Sequence, residues 1–270
     1  MTKRLCSALL ALSTAVMCLC ACTAGGQVSA SGAPPSGSSS APAPSSVSQS
    51  AQEPQPQPEP ETPAIVTDPS ANPLTGLAKA DDWPEGMRPL AVMLDNVQAA
   101  LPQRGLQSAD LVYEMVTEGG ITRMMAVFAN PDAIPYTGPV RSVRHYYTDL
   151  AYPYDPIFVH FGGSKPGKAA VADRGMDNVD GLIYGTTAFY KDAERAKNRG
   201  VEHSYFINGE AIAQVCEKRG YSLEGDPIPP LEISQTPVAP AEKVSGVYVK
   251  FSGYSSDRFD YNAGTGLYEK

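Results

Sequence analysis

Cysteine is almost absent from the chain once its N-terminal stretch is set aside. Four of the five cysteines lie near the N-terminus: Cys6, Cys18, Cys20 and Cys22. Only Cys216 remains, and a lone cysteine cannot form an internal disulfide, so we expect the folded part to depend on its hydrophobic core. Cys216 stands at helical spacing from Ile212 and Val215 in EAIAQVCEKRG. This spacing predicts a buried side chain rather than a nucleophile.

Histidine is equally scarce, with three residues that lie far apart in the sequence. No H-x-x-x-H or H-E-x-x-H pattern is present, so we expect no zinc site, no other metal and no cofactor. His160 falls at the end of the strand-like PIFVHF, where open α/β sheets bind ligands; a hydrogen-bonded core histidine is the alternative. His145 with Asp149 four residues on predicts a solvated pair on a helix. His203 lies in a loop, VEHSYF.

The N-terminal apolar run, Leu5 to Leu19, is too short for an ordinary membrane span. It follows Lys3 and Arg4 and ends in Leu-Cys-Ala-Cys, a good match to a bacterial lipobox with Cys22 as the lipidated residue. We therefore predict a lipoprotein signal peptide over residues 1–21 and acyl chains such as palmitate on Cys22. Two acyl chains give stable membrane attachment. An ordinary signal peptide or an uncleaved anchor is the alternative.

Basic residues are missing between residues 22 and 72, where Ser, Pro, Gln, Ala and Gly dominate. Such a segment cannot bury a core, so we predict a disordered tether with a reach of roughly 40 Å. Without Lys3 and Arg4 the chain has 19 basic and 29 acidic residues, a net charge of −10. This acidic balance argues against a nucleic-acid partner and against a domain that lies flat on anionic lipid.

The remaining sequence alternates strand-like and helix-like segments. It predicts an α/β or α+β domain over residues 73–230, with a mixed sheet and helices on its faces, and the start of a C-terminal β region over 231–270. The predicted strands span 88–95, 111–117, 121–129 and 156–161, with three short strands after 244. The predicted helices span 142–151, 168–173, 188–198 and 209–219.

Gly119-Gly120 separates two strand-like runs and predicts a two-residue hairpin turn. This turn would set Val116 opposite Arg123. Arg123 would then lie diagonally between Glu114 and Glu118 on one face of the sheet. Because both faces look apolar, the three charges would be partly buried and paired, as a structural cluster or as the floor of a site.

Two further features could bind an anion. Arg141 and Arg144 flank the start of a predicted helix, where guanidinium groups could bind carboxylate or phosphate; the alternative is that they neutralise acids such as Glu114 and Glu118. Gly162, Gly167 and Lys168 fit most of a phosphate-binding loop, but Ala169 stands where a magnesium-binding hydroxyl is needed. This pattern predicts at most an anion-accepting turn.

Four strings behind the lipobox and the linker resemble the YerB-like lipoprotein family: RPLAVMLDN, ADLVYEMVTEGGITR, GPVRSVR and HFGGS. The resemblance covers about residues 72–230. It implies a bacterial, mostly Gram-positive, cell-surface lipoprotein with a domain of unknown function and a longer C-terminal β region. It supplies no catalytic roles. Where the family tends to have Pro-His-Asn, this chain has Glu202-His203-Ser204.

Two functions remain open at this point. The first is a membrane-anchored, extracytoplasmic binding module for an anionic cell-envelope ligand or a protein partner. Its expected ligand-binding residues are Glu114, Glu118, Arg123, Arg141, Arg144, His160 and His203. The second is a cell-envelope hydrolase or transferase that uses Glu114 and Glu118 as acid and base.

Overall fold

A mixed five-stranded sheet is the centre of the computed structural model, which describes residues 68–81, 83–131, 134–226, 228, 231 and 244–270. The strands are β1 (Leu90–Asp95), β2 (Leu111–Val116), β3 (Thr122–Phe128), β4 (Ile157–His160) and β5 (Asn178–Asp180), in the spatial order β2-β3-β1-β4-β5. Strand β3 is antiparallel to both of its neighbours, and β1, β4 and β5 run parallel. The predicted fold class is confirmed. The predicted signal peptide, Cys22 and nearly all of the tether lie outside the described residues.

Helices cover both faces of this sheet. They are α1 (His145–Ala151), α2 (Lys165–Asp173), α3 (Gly181–Ala188), α4 (Ala193–Arg199) and α5 (Gly209–Arg219), with a short strand pair of β6 (Tyr190–Lys191) and β7 (Tyr205–Phe206). One core contains Tyr147 of α1 and Val171 of α2. The other contains Ile212 and Cys216 of α5. Helix cover on both faces explains why β1, β3 and β4 read as nearly continuous apolar runs.

The helix boundaries differ from the sequence-based ones where the backbone has a stronger partner elsewhere. Helix α1 begins at His145 and not at Ser142, because Val143 donates a backbone hydrogen bond to Gly162 at 3.0 Å and stays extended. Helix α4 begins at Ala193, where Asp192 caps it, and not at the predicted Ala188, because Ala188 is the last residue of α3. Helix α5 has the predicted bounds.

The predicted register of the β2–β3 hairpin is wrong by one residue. Residues 118–120 form a three-residue connection with both glycines at positive φ, so Val116 pairs with Thr122 and Met115 pairs with Arg123. A shift of one residue moves side chains to the opposite face of a strand. Arg123 therefore shares a face with Met115, and Glu114 lies on the other face. The predicted Glu114–Arg123–Glu118 cluster does not form.

The C-terminal part of the chain forms three antiparallel strands, as predicted: β8 (Gly246–Lys250), β9 (Ser256–Asn262) and β10 (Leu267–Glu269). The loop before β9 contacts the β2–β3 hairpin. Ser252 Oγ donates to the Gly120 carbonyl at 2.5 Å, and the hydroxyls of Ser255 and Thr122 lie 3.2 Å apart. Among the described residues, no helix has the length and apolar character to cross a membrane.

Candidate functional site

An extended segment, Pro139–Val143, separates the ends of β1 and β4. The parallel pairing of these strands runs to Val92 and Val159. Beyond that point the segment bonds to β1 on one side, where Arg141 donates to the Met93 carbonyl at 2.9 Å. On its other side, Phe161 donates to the Arg141 carbonyl at 2.9 Å. This insertion opens a crevice at the carboxyl ends of the parallel strands, the position at which open α/β sheets bind ligands.

The same edge of the sheet collects charged side chains. Asp95, His160 and Asp180 are the last residues of β1, β4 and β5, and Arg123 lies at the opposite, N-terminal end of the antiparallel β3. The parallel strands have their C-terminal ends at the same end of the sheet, and the antiparallel strand β3 has its N-terminal end there. The inserted segment adds Arg141, and Arg144 follows it.

Asp95 is the central acid of this edge and is 1% exposed. His203 Nδ1 lies 2.7 Å from its Oδ2, and Arg141 Nε lies 3.1 Å from the same atom. Asp95 therefore serves two cationic or proton-donating partners. The other ring nitrogen of His203, Nε2, lies 3.7 Å from Oε1 of Glu202.

Arg123 is 6% exposed and has no ion-pair partner among the described residues. Its Nη1 donates to the Ser142 carbonyl at 2.7 Å, and its buried Nε lacks a hydrogen bond to any described residue. Burial, followed by repulsion from Arg144 and Arg141, lowers the pKa of Arg123 to about 10. The guanidinium is still charged at neutral pH, so the fold holds a buried cation that lacks a close counter-ion.

Arg144 forms an ion pair with Glu118. Its Nε and Nη2 bond the two carboxylate oxygens at 2.6 and 2.8 Å, a bidentate arrangement. The hydrogen bonds from Arg144 lower the pKa of Glu118 to about 2. Glu118 is thus ionised at neutral pH and is a poor general acid.

A pocket of about 500 Å³ opens in front of the inserted segment. Its polar lining includes Arg141, Ser142 and Glu202. Its apolar lining consists of Val140, Phe161, Leu182, Val201 and Tyr205, with the backbone of Gly162 and Gly163 completing the wall. The volume is in the ordinary range for small-molecule sites.

The Gly162–Gly163 turn does not present its first amide to a ligand. Gly162 N donates to Oδ1 of Asp180 at 2.7 Å, and Ser164 Oγ caps α2 by accepting from Gly167 N. The resemblance to a phosphate-binding loop is therefore a matter of spacing, because these donors already have intramolecular partners.

The predicted site residues separate into two groups. Arg141 lines the pocket. Asp95 contacts both Arg141 and His203, and charge interactions connect Arg141 with Arg123, which interacts in turn with Arg144 and Glu118. His160 is 2% exposed beneath the Gly162 turn, where its Nδ1 lies 2.8 Å from the Gly162 carbonyl oxygen; burial lowers its pKa.

Glu114 lies on the opposite face of the sheet. It accepts a hydrogen bond from Asn96 at 2.8 Å and lies 3.5 Å from Lys270 Nζ. Burial first, and a hydrogen bond with Asp257 second, raise the pKa of Glu114. This environment belongs to the junction with the C-terminal strands. His145 is exposed, and the expected pair with Asp149 is wrong because Asp149 pairs with Arg174.

Sequence reasoning missed Glu202, Phe161 and Tyr205 of the pocket lining and the buried Asp95 that contacts Arg141. Asp95 carried a usable signal, since it is an acid that directly ends a buried strand. Phe161 and Tyr205 stack with ring centroids 4.3 Å apart, and no local pattern pairs them. The described residues include no cluster of three or more His, Cys, Asp or Glu side chains suited to a metal ion.

The fold and the pocket define a mixed α/β domain with a crevice at the carboxyl ends of its parallel strands. A family model described as "Protein of unknown function (DUF3048) N-terminal domain" matches residues 74–222, just over half of the chain. The chain belongs to this family.

The relatives share both sequence and fold. The putative lipoprotein YerB of Bacillus subtilis (strain 168) is 34% identical over 181 residues, which cover 66% of this chain and 52% of that protein. The chain therefore spans about half the length of this curated relative. The crystal structure of YerB protein from Bacillus subtilis superposes with a TM-score of 0.62 at 29% identity, covering 73% of this chain and 65% of that one.

Proposed function

We propose that the chain is a lipid-anchored protein of the cell envelope whose domain binds an anionic ligand in the pocket beside Arg141. The observation that carries this proposal is the charge at the sheet edge. Three guanidinium groups, those of Arg123, Arg141 and Arg144, interact with the carboxylates of Asp95, Glu118 and Glu202. Arg123 is nevertheless buried without an ion pair among the described residues, and an anion beside Arg141 would add negative charge near this buried cation.

The geometry favours Arg141, rather than Arg123 or Arg144, as the arginine that binds the ligand. Arg144 has both arms of its fork on Glu118, and Arg123 is 6% exposed. Arg141 lines the pocket with 27% of its side chain exposed. A guanidinium binds carboxylate or phosphate through two parallel donors, which gives both strength and orientation.

Membrane attachment is proposed from the N-terminus and from the relative. The lipobox places Cys22 after a basic start and a short apolar run, and YerB of Bacillus subtilis is described as a putative lipoprotein. The Cys22 anchor and the polar tether would hold the domain outside the cytoplasmic membrane. We expect Cys22→Ser to release the protein from membranes or to leave its precursor unprocessed. Normal processing with unchanged membrane partitioning would contradict the anchor.

The alternative of a hydrolase that uses Glu114 and Glu118 as acid and base finds no support in the geometry. The two carboxyls lie in different environments, Glu118 on Arg144 and Glu114 at the junction with Asp257 and Lys270. A general acid or base must lie within hydrogen-bond reach of its substrate, and neither Glu114 nor Glu118 lines the pocket beside Arg141. We therefore favour binding.

Thermal unfolding in inorganic phosphate tests the binding proposal. At matched ionic strength, phosphate in 100-fold excess over its dissociation constant should stabilise the folded chain by about 2.7 kcal/mol relative to chloride. Arg141→Gln should abolish this effect. Arg219→Gln, at an exposed position on α5, is the matched control and should retain it. An equal response of both variants to phosphate would refute a specific site at Arg141.

A further inference from the structure

The pocket beside Arg141 has an apolar side as well as a cationic one. Leu182 and Val201 both line it, although their side chains are 66% and 47% exposed. Large apolar side chains exposed next to one another around a concavity are typical of a surface that a ligand covers.

Two glycines in the backbone leave the space that the apolar side chains of the pocket occupy. Leu182 lies over Gly162, whose φ is +67°, and a Cβ there would come within 3.0 Å of the Leu182 Cδ1. Gly181 leaves room for Phe161, since a Cβ at Gly181 would lie 2.1 Å from the ring. These two glycines allow Phe161 and Leu182 to occupy adjacent positions on the wall.

Phe161 is held in place by a second ring. Tyr205 stacks on it with centroids 4.3 Å apart and an interplanar angle of 29°, and Phe189 packs against it edge-on at 5.3 Å. A ring fixed on both sides is a preorganised surface, so a ligand pays little entropy to pack against it.

The polar groups of the pocket lie beside these apolar side chains. Arg141 is anchored by Asp95, and Ser142 is fixed by its hydroxyl, which donates to the Phe161 carbonyl at 2.9 Å. Glu202 opposes an anion at the rim, where its side chain is 53% exposed and faces His203. A ligand with its charge at Arg141 and its bulk toward Leu182 keeps its anion at the guanidinium end.

We infer that the ligand is an amphipathic small molecule, with a phosphate or carboxylate group bound by Arg141 and an aromatic or aliphatic part packed against Phe161, Leu182 and Val201. This inference rests on the proposed anion-binding function and adds the chemical class of the ligand. Phosphate and carboxylate share the chemistry that a guanidinium recognises, and paired probes distinguish them.

The test compares probes with and without a ring, by calorimetric titration of the full chain. Phenylphosphate should bind about tenfold more tightly than inorganic phosphate, since burying one ring against apolar side chains typically gives a gain of this order. Benzoate compared with acetate repeats the test for a carboxylate. The preferred anion is the one whose ring-bearing probe, phenylphosphate or benzoate, binds more tightly.

Two adjacent aliphatic residues, Leu182 and Ile183, provide a matched pair of variants. Leu182 lines the pocket, whereas the adjacent Ile183 does not, although its side chain is 72% exposed. Leu182→Ser should reduce the tenfold gain from the ring to about twofold. Ile183→Ser should change the affinity for neither phenylphosphate nor inorganic phosphate. Because both positions are exposed, both variants should fold, which a circular dichroism melt verifies.

The outcomes separate the two proposals. Arg141-dependent phosphate binding without any gain from the ring would overturn the amphipathic ligand and leave the anion site standing. Equal losses in Leu182→Ser and Ile183→Ser would also overturn it. Absence of binding by every probe would refute the proposed function and this inference together.

Discussion

The two sides of the sheet differ in charge at the carboxyl ends of its parallel strands. One side carries Arg123, Arg141 and Arg144 together with Asp95 and Glu118. The other side carries Glu114, which shares its environment with Asp257 and Lys270. One strand position separates the two sides, because Met115 pairs with Arg123 and its neighbour Glu114 points the other way.

The two sides relieve their excess charge differently. Burial and the hydrogen bond with Asp257 raise the pKa of Glu114, so this acid can hold a proton in place of a negative charge. An arginine has no such option near neutral pH, since even the lowered pKa of Arg123 is about 10. The acid side can therefore lower its charge by taking up a proton, whereas the buried Arg123 stays a cation without an ion pair among the described residues.

The largest expected effect is the loss of the acid on the arginine side. Asp95→Asn removes the buried carboxylate that contacts both Arg141 and His203. Breaking a buried ion pair typically costs about 3–5 kcal/mol. Urea unfolding should show a loss of this size. A loss below about 1 kcal/mol would mean that Asp95 does not hold the arginine side together.

A smaller effect is expected for the buried cation. Arg123→Met keeps the side-chain volume and gives up one hydrogen bond, to Ser142, but it removes a charge that burial and two neighbouring arginines disfavour. We expect a change in unfolding free energy within about 1 kcal/mol, in either direction.

The same variant also tests the register of the hairpin. The register first expected from the sequence would pair Arg123 with two acids and make Arg123→Met cost about 3–5 kcal/mol. A loss of that size, measured by urea unfolding, would show that Arg123 has a close counter-ion after all. Phosphate should stabilise the variant less than the unchanged chain, because the variant has one guanidinium fewer near Arg141 to attract the anion.

The smallest effect is expected on the acid side. Glu114 has a raised folded pKa, so its contribution to stability is fully present below its unfolded pKa and falls as pH rises through the folded value. Glu114→Gln mimics the protonated form. Stability at neutral pH should change by less than about 1 kcal/mol, and the decline of stability above about pH 4.5 should become shallower. An unchanged pH profile measured by urea unfolding would exclude Glu114 as its source.

Local patterns predicted the elements well and their register poorly. Apolar runs and capping signals found β1, β4 and α5, because each depends on residues close in sequence. The hairpin failed because Gly119-Gly120 fits both a two-residue and a three-residue connection, and only the packing of the whole sheet decides between them. This one-residue difference in register places Glu114 on the face of the sheet opposite to Arg123.

The candidate site could be predicted only in part, for a related reason. Arg141 and His203 were recognisable as polar residues in unusual positions. Their shared partner, Asp95, depends on an extended segment that separates two strands far apart in the chain. Contacts of this kind follow from strand order, which no local periodicity encodes.

The most direct test of the central claim is a crystal structure of the chain grown with phenylphosphate. We expect the phosphate within about 3 Å of the Arg141 guanidinium, a normal hydrogen-bond distance, with the ring toward Phe161 and Leu182. A phosphate bound at the surface instead, with the pocket holding only water at saturating ligand, would contradict the account.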